Sequence, residues 1–207
     1  MQVYKILMVG EVTTGKTSLI NRYVNNNFTY NYRSTIGVCF SLKIIDNVID
    51  NTQSSTVFRN SNDKYINYNN KIKLYIWDVS GNQRFSDLTS LYYKNASAAF
   101  VNCDITQQNT FDEVIKWKQE LDAVCLIPII LLINKIDLQT IEIIKSDKEL
   151  DDFCNDNGFI TWIKTSSKDN IGIDDAFNKL IKSITVPNNK TIYLDQESDI
   201  DHPCYCC

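Results

Sequence analysis

Short apolar runs along the chain alternate with segments whose apolar residues recur at helical spacing. A further strand is predicted to end near residue 45, ahead of the apolar run at 73–77. Because strands and helices alternate, we predict an α/β fold with a mostly parallel six-stranded sheet and helices on both faces. Ligands of such sheets bind beyond the carboxyl ends of the strands. The other predicted strands are 5–9, 98–104, 128–134 and 161–165, and the predicted helices are 17–24, 85–94, 110–124, 147–157 and 173–184.

A phosphate-binding motif follows the first predicted strand. Residues 10–17 read Gly-Glu-Val-Thr-Thr-Gly-Lys-Thr, which fits G-x-x-x-x-G-K-[ST] at a strand-to-helix junction. Backbone amides and the helix dipole would bind phosphate oxygens, Lys16 would neutralise their charge, and the Thr17 hydroxyl would ligate magnesium. The alternative is an ordinary turn with an accidental pair of glycines. The residues expected at the phosphates are Gly10, Val12, Thr13, Thr14, Gly15, Lys16, Thr17 and Ser18.

Two more loops can complete a triphosphate and magnesium site. Asp78 follows the strand at 73–77 and can hold magnesium through water, while the backbone of Gly81 can approach the γ-phosphate. Thr35, in the loop after the first helix, can close the magnesium shell with its hydroxyl. An ordinary turn after a strand also accounts for residues 78–81.

The segment Asn134-Lys135-Ile136-Asp137 has a rationale in base recognition. Asp137 can accept from guanine N1 and N2, which adenine cannot reciprocate, and Asn134 would tie this loop to the phosphate loop. Lys135 could lie along the base, and Phe28 could cover its other side. For residues 134–137 the simpler interpretation is a solvated polar loop. For Phe28 it is an aromatic residue that anchors the start of a loop. Backbone amides near Ser166, Ser167 and Lys168 could contact the guanine oxygen.

At these motifs residues 3–184 resemble the Rab branch of the Ras superfamily of small GTPases, P-loop proteins with a G domain. The resemblance extends to Ile36-Gly-Val-Cys-Phe40, Lys73-Leu-Tyr-Ile-Trp-Asp78 and Asp104-Ile-Thr106, and residues 110–118 and 158–170 resemble the subgroup of lysosome-related organelles. It implies a GTP/GDP switch whose loops, about 28–40 and 79–95, are ordered by the γ-phosphate. It also implies an exchange factor, a GTPase-activating protein, escort and dissociation-inhibitor proteins, and effectors, acting on a monomer.

The chain departs from this family pattern at two site positions. Asn82 stands where Rabs carry the glutamine that orients the attacking water, so Gly81, Lys16 and Asn82 would form the catalytic group with a shortened reach. Slow intrinsic hydrolysis is therefore our hypothesis. Thr13 stands where a glycine is usual, and a β-branched residue resists positive φ, so we expect a stiffer or displaced loop.

Length and composition predict one domain with a tail. With 207 residues and 43% hydrophobic positions, we expect a GTPase domain at 1–184 and a disordered acidic tail at 185–207. Residues 46–70, rich in asparagine, suggest an inserted loop, tolerated or partner-binding. No apolar run is long enough to span a bilayer, and scattered cysteines fit a reduced cytosolic chain. The net charge of −4, without a basic stripe, argues against nucleic acid.

The chain ends Cys204-Tyr205-Cys206-Cys207. In the Rab pattern a terminal double cysteine implies geranylgeranyl addition to Cys206 and Cys207. Two such chains would anchor the protein to the cytoplasmic face of endosomal or lysosome-related membranes, with a cytosolic pool. Idle thiols on a disordered tail are the alternative.

Two classes of function remain open on sequence grounds, with a third more remote. The first is a hydrolysing, membrane-cycling GTPase that recruits effectors in vesicular transport. The second is a GTP-loaded binding platform with negligible turnover, which Asn82 favours. An ATP-dependent small-molecule kinase shares the phosphate loop but has no use for Asn134 and Asp137.

Overall fold

The computed structural model describes residues 1–31, 33–46, 71–82, 86–138 and 146–185. The strands are β1 Gln2–Val9, β2 Val38–Asp46, β3 Lys71–Val79, β4 Ala98–Asp104, β5 Ile129–Asn134 and β6 Thr161–Lys164. The helices are α1 Lys16–Asn25, α2 Ser86–Tyr93, α3 Gln108–Asp112, α4 Val114–Asp122, α5 Asp147–Asn157 and α6 Ile173–Thr185.

The strands form one six-stranded sheet in the order β2-β3-β1-β4-β5-β6. Only β2 runs antiparallel among these pairings, along β3, whereas β1, β3, β4, β5 and β6 pair in parallel. The predicted sheet is thereby confirmed. The reversal at β1 sends the chain to β3 on one side and β4 on the other, which opens a crevice at the carboxyl end of β1.

Apolar residues of the sheet are covered on both faces. One core packs Leu19 and Ile20 of α1 with Phe177 and Leu180 of α6. The other core includes side chains from α4 and α5 on the opposite face, among them Trp117, Leu121, Leu150 and Cys154. Because β4 and β5 lie between the two layers, each is buried along its whole length, and both sequences are almost wholly apolar.

The predicted helix over 110–124 differs from the observed one. It begins at Gln108 and divides at Glu113, whose ψ of −7° departs from helical values. The hydrogen-bond ladder crosses the break, because Glu113 donates to the Asn109 carbonyl at 3.2 Å and Trp117 donates to the Glu113 carbonyl at 3.1 Å. Neither glycine nor proline marks this position, so the pattern of apolar residues carried no sign of it.

Some sequence predictions lie outside the described residues. They concern most of the 46–70 insertion, of which Asp46 closes β2, and the tail with its cysteines. Within the described part of the chain, no helix combines the length and apolar character needed to cross a bilayer.

Candidate nucleotide site

A cleft of about 690 Å³ lies at the carboxyl edge of the sheet, beside the first turn of α1. This volume is within the range of small-molecule and cofactor sites. Gly10, Thr14, Asp78 and Ser166 lie behind the lining or support it through hydrogen bonds. The predicted residues that line the cleft are Val12, Thr13, Gly15, Lys16, Thr17, Ser18, Phe28, Thr35, Gly81, Asn134, Lys135, Asp137, Ser167 and Lys168.

The phosphate loop folds tightly around the Lys16 ammonium group. Lys16 Nζ donates to the carbonyls of Gly10 at 2.8 Å and Glu11 at 2.7 Å, and the residue is 6% exposed. Burial lowers the pKa of Lys16 to about 8, although the charges of Asp78 and Glu11 oppose the shift. The negative charge of a bound phosphate group would stabilise the charged form of Lys16.

Glycine is required at both ends of this loop. Gly10 has φ +134°, and a Cβ there would lie 2.2 Å from the Asn102 carbonyl oxygen. Gly15 has φ +93°, and a Cβ there would lie 2.5 Å from Asn134 Nδ2. The loop can therefore pass close to β4 and β5 only without side chains at these positions.

Thr13 adopts the left-handed conformation that a β-branched residue was expected to resist. Its φ is +62°, so the loop keeps the left-handed turn even with threonine in place. The Thr14 hydroxyl donates to the Glu11 carbonyl at 2.9 Å and closes the turn around Thr13. The left-handed conformation costs an L-residue roughly 1–2 kcal/mol, which the surrounding contacts must offset.

Three oxygen-bearing side chains meet at the mouth of the phosphate loop. The Thr17 hydroxyl hydrogen-bonds Asp78 Oδ2 and lies 3.0 Å from the Thr35 hydroxyl, which itself lies 3.3 Å from Asp78 Oδ2. This arrangement joins α1, the loop before β2 and the end of β3. Thr35 is thus in contact with the phosphate-loop threonine although 18 positions separate them.

These residues fit a magnesium ion. Hydroxyl and carboxylate oxygens are the donors that Mg²⁺ prefers. Asp78 is 3% exposed, and its Oδ1 is buried without a hydrogen-bond partner among the described residues. Burial raises the pKa of Asp78, while the Thr17 hydrogen bond, the Lys16 charge and the Thr35 hydrogen bond lower it. A nearby cation would stabilise the ionised form.

The loops after β5 and β6 are bonded to each other and to the phosphate loop. Asn134 Nδ2 donates to the Thr14 carbonyl at 2.9 Å, and its Oδ1 accepts from the Thr165 hydroxyl at 3.2 Å. Ser166 Oγ donates to Asp137 Oδ1 at 2.7 Å. A carboxylate and an amide from one loop are in this way held at fixed positions beside the cleft.

Residues outside the sequence motifs position the side of the cleft that the loops after β5 and β6 form. Asp104 Oδ2 pairs with Lys135 Nζ at 2.6 Å. Arg22 Nε donates to the Ser167 carbonyl at 2.9 Å, and Arg22 Nη2 donates to the Lys168 carbonyl at 2.9 Å. Sequence reasoning reached Asp104 only through the family resemblance and missed Arg22, because an arginine on an amphipathic helix carries no signal of its partner.

Phe28 lies in the cleft wall and packs edge-on against Tyr30, with ring centroids 5.2 Å apart. The two rings stand at an interplanar angle of 83°. This edge-to-face geometry is the favourable arrangement for an aromatic pair. The contact fixes an aromatic surface at the start of the loop that carries Thr35.

Gly81 and Asn82 are neighbours in the chain but differ in their position relative to the cleft. A Cβ on Gly81 would lie 2.5 Å from the Gly10 carbonyl oxygen, so the chain after β3 touches the phosphate loop backbone. The backbone N–H of Asn82 donates to Ser80 Oγ at 3.2 Å. Gly81 lines the cleft and Asn82 lies beyond its described lining. Gln83, which follows Asn82 in the chain, is outside the described residues.

The sheet order, the phosphate loop after β1 and the cleft beyond the strands define a nucleotide-binding α/β protein of the phosphate-loop class. A model of the Ras family matches residues 5–53 and 39–186, and the chain belongs to that family. Binding of GTP and GDP is a property of this family.

Relatives place the chain more narrowly. Ras-related protein Rab-32A of Dictyostelium discoideum is 40% identical, with 88% of this chain and 78% of the relative aligned. Ras-related protein Rab-32 of Homo sapiens is 40% identical over 96% of this chain and 81% of its own length. Ras-related protein Rab-7L1 of Homo sapiens is 35% identical over 88% of this chain and 82% of its own length. The protein is a small GTPase of the Rab type.

Proposed function

We propose that the protein is a membrane-cycling switch that alternates between GTP and GDP and recruits effectors in vesicular transport. The contact of Thr35 with Thr17 and Asp78 carries this proposal. It connects the loop before β2 to the part of the cleft where the terminal phosphates would lie. Loss of the γ-phosphate would release that loop, and partners would read the difference.

Guanine is the base that this cleft would select. Asp137 can accept from N1–H and N2–H of guanine, whereas adenine would offer the carboxylate neither of these hydrogen bonds in a site where its side chain is 8% exposed. Asn134 would hold the base loop against the phosphate loop through the Thr14 carbonyl. Discrimination against ATP should therefore be large.

Thr17, Thr35 and Asp78 would hold magnesium. The ion would neutralise charge on the β- and γ-phosphates. Lys16 would contribute a second positive charge, and the backbone N–H of Gly81 would approach the γ-phosphate. The loop that carries Thr35 would then be ordered only while all these groups are satisfied.

We further propose that hydrolysis without an activating partner is slow. Asparagine is one methylene shorter than glutamine, so the Asn82 amide would fall about 1 Å short of an attacking water, and misplacement on this scale can cost ~100-fold. An activator that brings an arginine and a glutamine in trans would restore the rate. A chain with no measurable turnover even then would be a GTP-loaded platform.

Membrane attachment would come from geranylgeranyl groups on Cys206 and Cys207, and an endosomal or lysosome-related compartment is the proposed destination. Escort and dissociation-inhibitor proteins would handle the lipidated form, and an exchange factor would load GTP. Incorporation of labelled geranylgeranyl into the full chain, compared with a Cys206→Ser, Cys207→Ser variant, tests the attachment. Equal labelling of the two chains would refute it.

Competition binding tests whether the cleft selects guanine nucleotides, as the proposed switch requires. Fluorescent GDP bound with magnesium should be displaced by GTP at stoichiometric amounts and by ATP only at more than about 1,000-fold excess. Asp137→Ala should abolish most of this preference, while the matched change Asp156→Ala, on the exposed surface of α5, should not. Equal displacement by ATP and GTP would reject a guanine switch.

A further inference from the structure

Asn102 is a buried amide in the middle of an apolar strand. It lies in β4, where Phe100 and Val101 precede it, and its exposed fraction is 0%. Placing an amide in such surroundings costs free energy unless its polar atoms are bonded. Neither the phosphate motif nor the base motif includes this residue, so its polar character needs a separate explanation.

The Asn102 side chain reaches the phosphate loop. Its Nδ2 donates to the Thr14 carbonyl at 3.0 Å, and Asn134 Nδ2 donates to the same oxygen at 2.9 Å. A carbonyl oxygen has two lone pairs and can accept both bonds. Adjacent strands β4 and β5 therefore each send one amide to a single backbone atom of the loop.

This doubly held carbonyl lies next to the left-handed residue of the loop. Thr14 is also fixed through its hydroxyl, which donates to the Glu11 carbonyl at 2.9 Å. Thr13 lies between those fixed points with φ +62°. We propose that Asn102 is a positioning residue, which acts with Asn134 on the Thr14 carbonyl to hold the phosphate loop in its binding shape against the preference of Thr13.

The oxygen of the Asn102 side-chain amide makes it possible to distinguish a positioning role from a purely structural one. Asn102 Oδ1 is buried and has no hydrogen-bond partner among the described residues. An unsatisfied buried acceptor lowers stability, so an apolar residue here would relieve that cost while removing the bond to the loop. Folding stability and nucleotide retention should consequently change in opposite directions, or only retention should change.

Asn102→Val tests the proposal, which depends on the guanine-nucleotide function proposed above. Release of fluorescent GDP in magnesium should become about 3- to 10-fold faster. The urea midpoint of the nucleotide-free protein should stay equal or rise. Cys103→Val is the matched control, because Cys103 is the next residue of β4 and packs in the opposite core; its release rate should equal that of the wild type.

A double-mutant cycle with Thr13→Gly tests the link to the left-handed residue. Glycine removes the conformational preference that Asn102 is proposed to oppose, so Asn102→Val should accelerate release by a smaller factor in the Thr13→Gly background. The same factor in both backgrounds would overturn the proposal. So would an unchanged release rate for Asn102→Val, or faster release accompanied by a matching loss of stability.

The wild-type measurement separates the two proposals. A wild type that retains no GDP in magnesium would overturn the proposed function, whatever the behaviour of the Asn102 variant. A wild type that retains GDP, with an Asn102→Val variant that releases it at the same rate, would overturn only the role of Asn102. Faster release by the variant, with the control unchanged and the urea midpoint equal or higher, supports both.

Discussion

Ser166 Oγ donates a hydrogen bond to Asp137 Oδ1 at 2.7 Å, across 29 positions of sequence. Ser166 is fully buried, and its Oγ also accepts from the Asp169 amide at 3.0 Å, so the serine itself is held by its own loop. The other carboxylate oxygen, Asp137 Oδ2, lies 4.0 Å from Lys168 Nζ. The loop after β6 therefore sets the orientation of the carboxylate that would read the base.

Ser166→Ala should weaken GDP binding by about 3- to 10-fold, because Asp137 would lose the bond that orients it. Competition binding in magnesium measures the change. Ser183→Ala on α6 is the matched control, since among the described residues that hydroxyl bonds within its own helix, to the Leu180 carbonyl. Unaltered GDP affinity in Ser166→Ala would show that Asp137 is oriented by other contacts.

Asn82→Gln should hydrolyse bound GTP at least about tenfold faster than the wild type in a single turnover, because the longer side chain restores reach toward the attacking water. The GTP-loaded protein is started with magnesium and phosphate release is followed. Asn155→Gln, on the exposed surface of α5, adds the same methylene away from the cleft and should leave the rate unchanged. Equal rates for wild type and Asn82→Gln would mean that another group orients the water.

GDP binding should take up a proton at Lys16. Its ordinary pKa is 10.5, and burial lowers the pKa to about 8 in the nucleotide-free protein. At pH 8 about half of these side chains are neutral and must become charged when phosphate binds, so calorimetry in two buffers of different ionisation enthalpy should show uptake of about half a proton. At pH 7 this contribution should nearly vanish. The same uptake at both values would contradict the assignment.

The same shift predicts how the stability of the nucleotide-free protein depends on pH. Between pH 8 and the ordinary value of 10.5 the unfolded chain holds the Lys16 proton more tightly than the folded one. The contribution of Lys16 therefore makes the folded state more stable as pH rises through this window. Urea midpoints of the wild type and of Lys16→Met isolate the effect, because methionine does not titrate; parallel pH profiles would refute it.

Gly81→Ala should abolish most nucleotide binding. Its Cβ would lie 2.5 Å from the Gly10 carbonyl oxygen and 2.6 Å from Val12 N, and these backbone atoms cannot move without opening the phosphate loop. Gly158→Ala is the control: its φ of +70° is strained, but its nearest contact is Lys118 Nζ at 3.6 Å. It should lose roughly 1 kcal/mol of stability and keep its affinity. GDP binding by Gly81→Ala at wild-type affinity would argue against close packing of these loops.

The alternation of apolar runs and amphipathic segments was sufficient for the order and nature of most elements. The limits of β4 and α5 agree with the prediction, since both have clear boundaries: a mainly apolar run that ends at Asp104 for β4, and a Ser146 to Glu149 capping box with a left-handed Gly158 for α5. The break at Glu113 was not predictable, because it depends on a single backbone angle that no residue type at 113 demands.

Motifs predicted which residues gather at the cleft, because each has a chemistry that requires fixed spacing along the chain. The contacts of Arg22 and Asn102 were beyond such reasoning. Arg22 meets Ser167 across 145 positions, and Asn102 meets Thr14 across 88. An arginine on a helix and an amide in a strand have many possible partners, and only the packing of α1 and β4 selects one.

Local composition and spacing were enough to predict most of the elements and the phosphate and base motifs, and the resemblance to the Rab pattern identified the departures at Asn82 and Thr13. The tertiary structure decided that Thr13 takes the left-handed conformation and that Thr35 reaches Asp78. It also decided that two amides share the Thr14 carbonyl. These outcomes depend on the separation of strands and loops in space, which hydrogen bonding and close packing of the whole sheet set together.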